Sequence, residues 1–258
     1  MRIFLTLICS ATLVLPVSNL VSADDPVRES AVPSKSRSQT LQRFVAELVS
    51  ITPGTAPFPA AVTLNRRTLT APDAFQISAY ETTQELYQLV MGSNPSRWKG
   101  PRNSAESMTP SQAVEFCERL TLLLRTEDLI PATASIRLPT DIEWEYACRA
   151  GSKTEFCFGT LQEAATLLDQ YAWHTGNAAG NDPAVGVLKP NDWGLYDTHG
   201  YLWEFVTMAA PPAASDPPLS AMGGSWRDSA MNLTCQSRIE VSEKSVSDAV
   251  GFRCVLAR

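Results

Sequence analysis

With only two histidines, His174 and His199, in 258 residues, the chain cannot build a metal centre on three imidazoles. Basic charge is also short: 21 Lys and Arg face 27 Asp and Glu, a net charge of −6. A nucleic-acid partner needs a basic face for its phosphates, and this balance argues against one. An anionic membrane surface is disfavoured for the same reason. Beyond the N terminus no segment approaches the ~18 uninterrupted apolar residues of a spanning helix. None of the six cysteines lies at C-x-x-C spacing, which speaks against a thioredoxin-like motif or a zinc knuckle. No internal repeat is visible.

What is present starts with Met1-Arg2 and the apolar stretch "IFLTLICSATLVLPV", ending in Val21-Ser22-Ala23. A basic residue, a short apolar core and small residues at the break predict a cleaved secretory signal over residues 1–23. Ser10, Thr12 and Pro16 interrupt the run, so export to a secreted or periplasmic location is expected rather than anchoring. Removing that segment takes away Arg2 and no carboxylate, so the mature chain is more acidic still. Residues 24–40 are polar, rich in Ser and free of aromatics, the composition of a linker. Leu41, Phe44, Val45, Leu48 and Val49 then predict an amphipathic helix over residues 41–50, able to dock on the domain or on a partner. The prolines of "ITPGTAPFPAA" break it. The chain thus divides into a signal (1–23), a linker with a helix (24–54) and one domain (55–258).

Inside that domain three helix starts are written as capping boxes. They are Thr82-x-x-Glu85, with Gly92 to end the helix, Thr109-Pro110-Ser111-Gln112, and Thr140-x-x-Glu143, with Gly151 to end it. Past residue 170 amphipathic helix is scarce, and "YLWEFV", "AMGGSW" and "GFRCVLA" read as short strands between long loops. Helices followed by strands and loops predict an α+β domain. Cys9 leaves with the signal, so Cys117, Cys148, Cys157, Cys235 and Cys254 remain. In an oxidising compartment the default is two bridges and one leftover thiol, and the spacing does not choose among the pairings.

Four stretches occur in one order: "YETTQELYQLVMGSNPSRWKG" (80–100), "RLPTDIEWEYACRAG" (137–151), "KPNDWGLYDTHGYLWEFV" (189–206) and "GGSW" with "GFRC" (223–254). Together they resemble the sulfatase-modifying-factor family, whose best-known member is the formylglycine-generating enzyme. The similarity covers residues 70–258, and residues 55–74 match the family's opening poorly. It implies a C-type-lectin-like fold, loop-rich with a small antiparallel sheet. Trp144, Trp193, Trp203 and Trp226 then read chiefly as rigid packing surface, and Gly194, Gly200, Gly223 and Gly224 as turn positions.

The family's enzyme oxidises a substrate cysteine with copper held by two of its own cysteines, a Cys-x4-Cys pair just after the Gly-Gly-Ser turn. Counting forward from Trp226 puts the first of them near Asp228; counting back from "GFRC" puts the pair near Ser225 and Ala230. None is cysteine, and a carboxylate is too hard a donor for Cu(I), so copper is not supported. The resemblance further implies two structural bridges, Cys117–Cys254 and Cys148–Cys235, with Cys157 left over. Closing loops of such length is worth roughly 4–5 kcal/mol by chain entropy. A second branch of the family holds iron with three histidines, which this chain lacks. The family's calcium ligand in "GNxWEW" is replaced by Tyr201, while Glu204 persists. Asn177, Asn181 and Asp182 offer other oxygens suited to calcium, though a hydrated turn explains them equally. Asp197 and His199 are too close in sequence to read as more than a loop coincidence, and Ser225 is not in a G-x-S-x-G elbow.

The expectation is therefore an exported, non-catalytic binding or accessory domain. Trp193, His199, Tyr201, Trp203, Trp226 and Asp228 would form its recognition surface. The partner would be a protein or a small molecule. An oxidase of protein cysteine and an extracytoplasmic structural subunit, docking through helix 41–50, are the alternatives.

Overall fold

The computed structural model describes residues 34–64, 67–179, 182–209 and 219–258; the expected leader lies outside them. Helix α1 (Ser34–Ala46) begins within the stretch expected to be linker and ends before its expected last turn. Residues Leu48–Ile51 form strand β1 instead. The spacing of Leu41, Phe44 and Val45 is helical, and Leu41 and Phe44 are buried in the main core beside the next helix. The apolar spacing runs on through Leu48 and Val49 by coincidence. There the backbone pairs with β4 (Phe75–Ser78), and strand pairing overrides the helical pattern. The apolar face of α1 is therefore spent on its own domain, the first of the two docking modes expected for it.

Strands β2 (Ala61–Thr63) and β3 (Thr68–Thr70) pair as a small antiparallel unit. Helices α2 (Gln84–Met91), α3 (Pro110–Thr126) and α4 (Asp141–Arg149) follow, with β5 (Ser135–Arg137) before α4. The capping boxes of Thr109 with Gln112 and Thr140 with Glu143 both form. That of Thr82 does not: the N-cap is Thr83, with no side-chain bond. Gly92 ends α2 in the left-handed conformation as expected, whereas α4 is capped by Ala150 at φ 47 rather than by Gly151. A further box, Thr160 with Glu163, opens the short helix α5 (Leu161–Leu167).

Strands β6 (Trp203–Val206), β7 (Leu219–Met222), β8 (Arg238–Val241), β9 (Val250–Gly251) and β10 (Val255–Ala257) complete the fold. One sheet runs β1-β4-β10-β5, antiparallel throughout; the other runs β8-β7-β6-β9, where β6 and β9 are parallel. The domain is α+β and loop-rich, with two small four-stranded sheets where one was expected. The final segment enters both sheets, and Arg253 sits between its two strands at 0% exposure. Its guanidinium makes two bonds to Glu204, at 2.6 and 2.7 Å, and donates to the carbonyls of Ser78, Ala79 and Tyr196. Glu204 also accepts from the Trp144 indole at 2.7 Å. A buried ion pair is tolerable only when its remaining donors are satisfied in this way.

Candidate functional site

The turn after β7 uses its glycines for close approach. At Gly224, φ is +82, and a Cβ would lie 2.5 Å from the Asn232 carbonyl oxygen. The chain then passes Ser225 and Asp228, two of the positions where the family resemblance would place copper-binding thiols. Asp228 is occupied with scaffolding. It accepts from the Ser225 amide and hydroxyl at 3.0 and 2.7 Å, from the Trp203 indole at 2.9 Å, and from Asn232 at 3.2 Å. Ala230 opens a short 3-10 turn. The segment is a hydrogen-bonded platform of hard oxygen donors.

Beside the platform lies a cavity of 170 Å³, walled by Trp98, Trp173, Trp226 and Tyr201, with Glu106 and Asp182 among its polar groups. For scale, an engineered apolar cavity of about 150 Å³ takes up benzene. Trp173 has its indole N–H buried, with no hydrogen-bond partner among the described residues. Burial raises the carboxyls of Glu106 and Asp182 above the usual range, although protein N–H and O–H donors partly offset it. At the rim, Arg97 stacks on Trp98 and Arg227 on Trp226, each 4.6 Å from the ring centre, and both pair with Asp248. The cavity is thus largely apolar and aromatic, with carboxyls in its lining and arginines paired to Asp248 beside it.

The six residues expected on one recognition surface are not on one. Trp193 is buried against Phe58 and Tyr146, with ring centres at 4.8 and 5.0 Å. Trp203 belongs to the main core. His199 is buried at 1% exposure among cysteines. Of the six, only Tyr201 and Trp226 line the cavity, while Asp228 braces Trp203 and Ser225. The error has one physical source: large aromatics in a loop-rich domain with short strands are needed as core. Trp98 and Trp173, which do line the cavity, were overlooked; their only signal was a tryptophan beside loop-forming Asn, Ser and Gly.

Of the oxygens considered for calcium, Asn177 accepts from the His174 amide, and Asp182 accepts from Asn103 and Tyr201. Asn181 lies outside the described residues. Asp197 and His199 share no bond: Asp197 accepts from the Gly186 amide, whereas His199 meets Leu233 and Cys157. The cysteines are brought together in the two expected pairs, Cys117 with Cys254 and Cys148 with Cys235, each within hydrogen-bond reach. Burial and the neighbouring sulfur push the thiols of Cys117 and Cys148 up. Cys157, expected alone, stands beside His199.

The family model described as the sulfatase-modifying factor enzyme 1-like domain matches residues 33–258. Among curated proteins, the chaperone protein LppX of Paenibacillus barcinonensis is 28% identical over 222 residues, covering 69% of this chain and 76% of that one. The inactive C-alpha-formylglycine-generating enzyme 2 of Mus musculus is 34% identical over 130 residues, which is 46% of this chain and 42% of the relative. This chain therefore spans under half of that mouse protein. Among solved structures, Treponema denticola variable protein 1 superposes with a TM-score of 0.67 at 26% identity, over 81% of this chain and 94% of that one.

Proposed function

Because the chain belongs to the sulfatase-modifying factor enzyme 1-like family, we propose that it is an exported, non-catalytic member that binds a small molecule or a partner's side chain. The cavity walled by Trp98, Trp173, Trp226 and Tyr201 is the binding site in this reading. The observation that carries it is the use of Asp228. Its carboxylate is taken up by Ser225, Trp203 and Asn232, so Asp228 serves as a strut where the family resemblance would place a copper-binding thiol, and neither Ser225 nor Ala230 offers a soft ligand there. Relatives with the names chaperone and inactive enzyme fit a binding or accessory role. Export rests on the leader pattern in residues 1–23.

Binding is tested by titrating indole and choline into the ¹⁵N-labelled protein and following the tryptophan indole resonances. Trp173 and Trp226 shift with either probe, while Trp144, whose indole is held by Glu204, stays in place. If no probe moves Trp173, or all six indoles move together, the cavity is not a binding site.

A further inference from the structure

Among the described residues, the charged side chains in the lining of the tryptophan-walled cavity are Glu106, Asp182 and Asp248, all of them carboxylates. Asp248 is spent on Arg97 and Arg227. Those arginines are themselves exposed and do not line the cavity; each covers one face of Trp98 or Trp226. Glu106 and Asp182 have only neutral donors. Glu106 accepts from the backbone amides of Arg97 and Trp98 and from the Ser107 hydroxyl. Asp182 accepts from the Asn103 side-chain amide and, at 3.4 Å, from the Tyr201 hydroxyl. The two carboxylates thus receive hydrogen bonds, while their charge is not balanced. Burial raises both carboxyls, and the donors do not undo it. The Tyr201 phenol feels the same field: burial first, then the charges of Glu81, Asp182 and Asp197, push it up.

We propose that the cavity takes a quaternary ammonium head. The assignment rests on the cavity being a binding site and adds the class of its ligand. A cation beside aromatic rings is drawn to their quadrupoles, most strongly to that of tryptophan, and three of the four walls are tryptophans. The same cation balances Glu106 and Asp182, which a neutral guest would leave buried and uncompensated. A quaternary nitrogen brings charge without N–H groups, and these carboxylates already have their donors. An anion would meet three carboxylates, and a calcium ion needs roughly 6–8 oxygen ligands, which aromatic walls do not supply. A trimethylammonium head has fewer heavy atoms than benzene, so a volume of 170 Å³ admits it. Trp98 is the exposed wall, and the rest of the ligand leaves past it.

The test compares choline with neohexyl alcohol, the neutral isostere in which a tert-butyl group replaces the trimethylammonium. Each is titrated into the ¹⁵N-labelled full chain while the Trp173 and Trp226 indole resonances are followed, with Trp144 reporting that the fold is intact. Choline binds at least tenfold more tightly than the alcohol. Glu106→Gln and Asp182→Asn each weaken choline at least threefold and leave the alcohol unchanged. Equal affinities for the two probes overturn the ammonium assignment and leave the cavity a binding site. A choline preference undiminished in both folded variants overturns it too. Silence of Trp173 and Trp226 toward both probes removes the binding site itself. A trimethyllysine peptide separates the sources of the head: affinity above that of choline marks a partner's side chain, and affinity below it a free small molecule.

Discussion

At the residue scale, Asp197 and Gly224 make the sharpest demands. Burial raises the Asp197 carboxyl first, the Glu204 charge adds to this, and the Gly186 amide and Arg253 only partly oppose them, so it titrates at about 6. Its Oδ1 is buried with no partner among the described residues. A carboxyl raised on folding contributes stability at low pH, where it is protonated in both states, and loses it as pH rises through its folded value. Asp197 therefore costs the fold up to about 3 kcal/mol by neutral pH. Asp197→Asn, which also tolerates the left-handed backbone at φ 58, should gain on the wild type in urea melts between about pH 4 and 7. Parallel stability curves would contradict this. Gly224→Ala should lose about 2 kcal/mol or more, from positive φ and from contact with the Asn232 carbonyl. An unchanged melting temperature would count against the strained turn. Sequence alone marked Gly224 as a turn and read Asp197 only beside His199; the charges of Arg253 and Glu204 reach it from segments remote in sequence.

Among the elements, helices were legible where the signal is local. The Thr140 and Glu143 box forms as written, and Arg137 adds two bonds of 2.7 Å to Glu143. Burial pushes the Glu143 carboxyl up, yet Arg137 and Thr140 together hold it below the ordinary range. Thr140→Ala should cost about 1 kcal/mol in chemical denaturation. A change within error would mean that Arg137 alone fixes the helix start. Strand β1 was illegible because its partner is remote in sequence, and the helical spacing before it gave no stop signal. Large aromatics are ambiguous between core and surface for the same reason. Trp193 and Trp203 are packed by residues whose proximity is decided only on folding.

For the whole molecule, the last strands join the two sheets through Arg253, and that junction carries more than any single cap. Arg253→Met leaves Glu204 charged in a site with 0% exposure, and breaking one side of a buried pair costs about 3–5 kcal/mol. Equilibrium unfolding of that variant should show the loss; a variant as stable as the wild type would contradict the buried network. The ordered motifs made the family and the α+β architecture readable. The cavity was not readable, because Trp98, Trp173 and Trp226 come from three separate loops. The account rests finally on Asp228 standing as a strut where copper-holding thiols would be needed. The direct measurement is to incubate the purified protein with copper, oxygen and a cysteine-containing sulfatase-motif peptide, then reduce all disulfides and weigh the peptide. The account predicts an unchanged peptide mass, and conversion of its cysteine to formylglycine over repeated turnovers would contradict it.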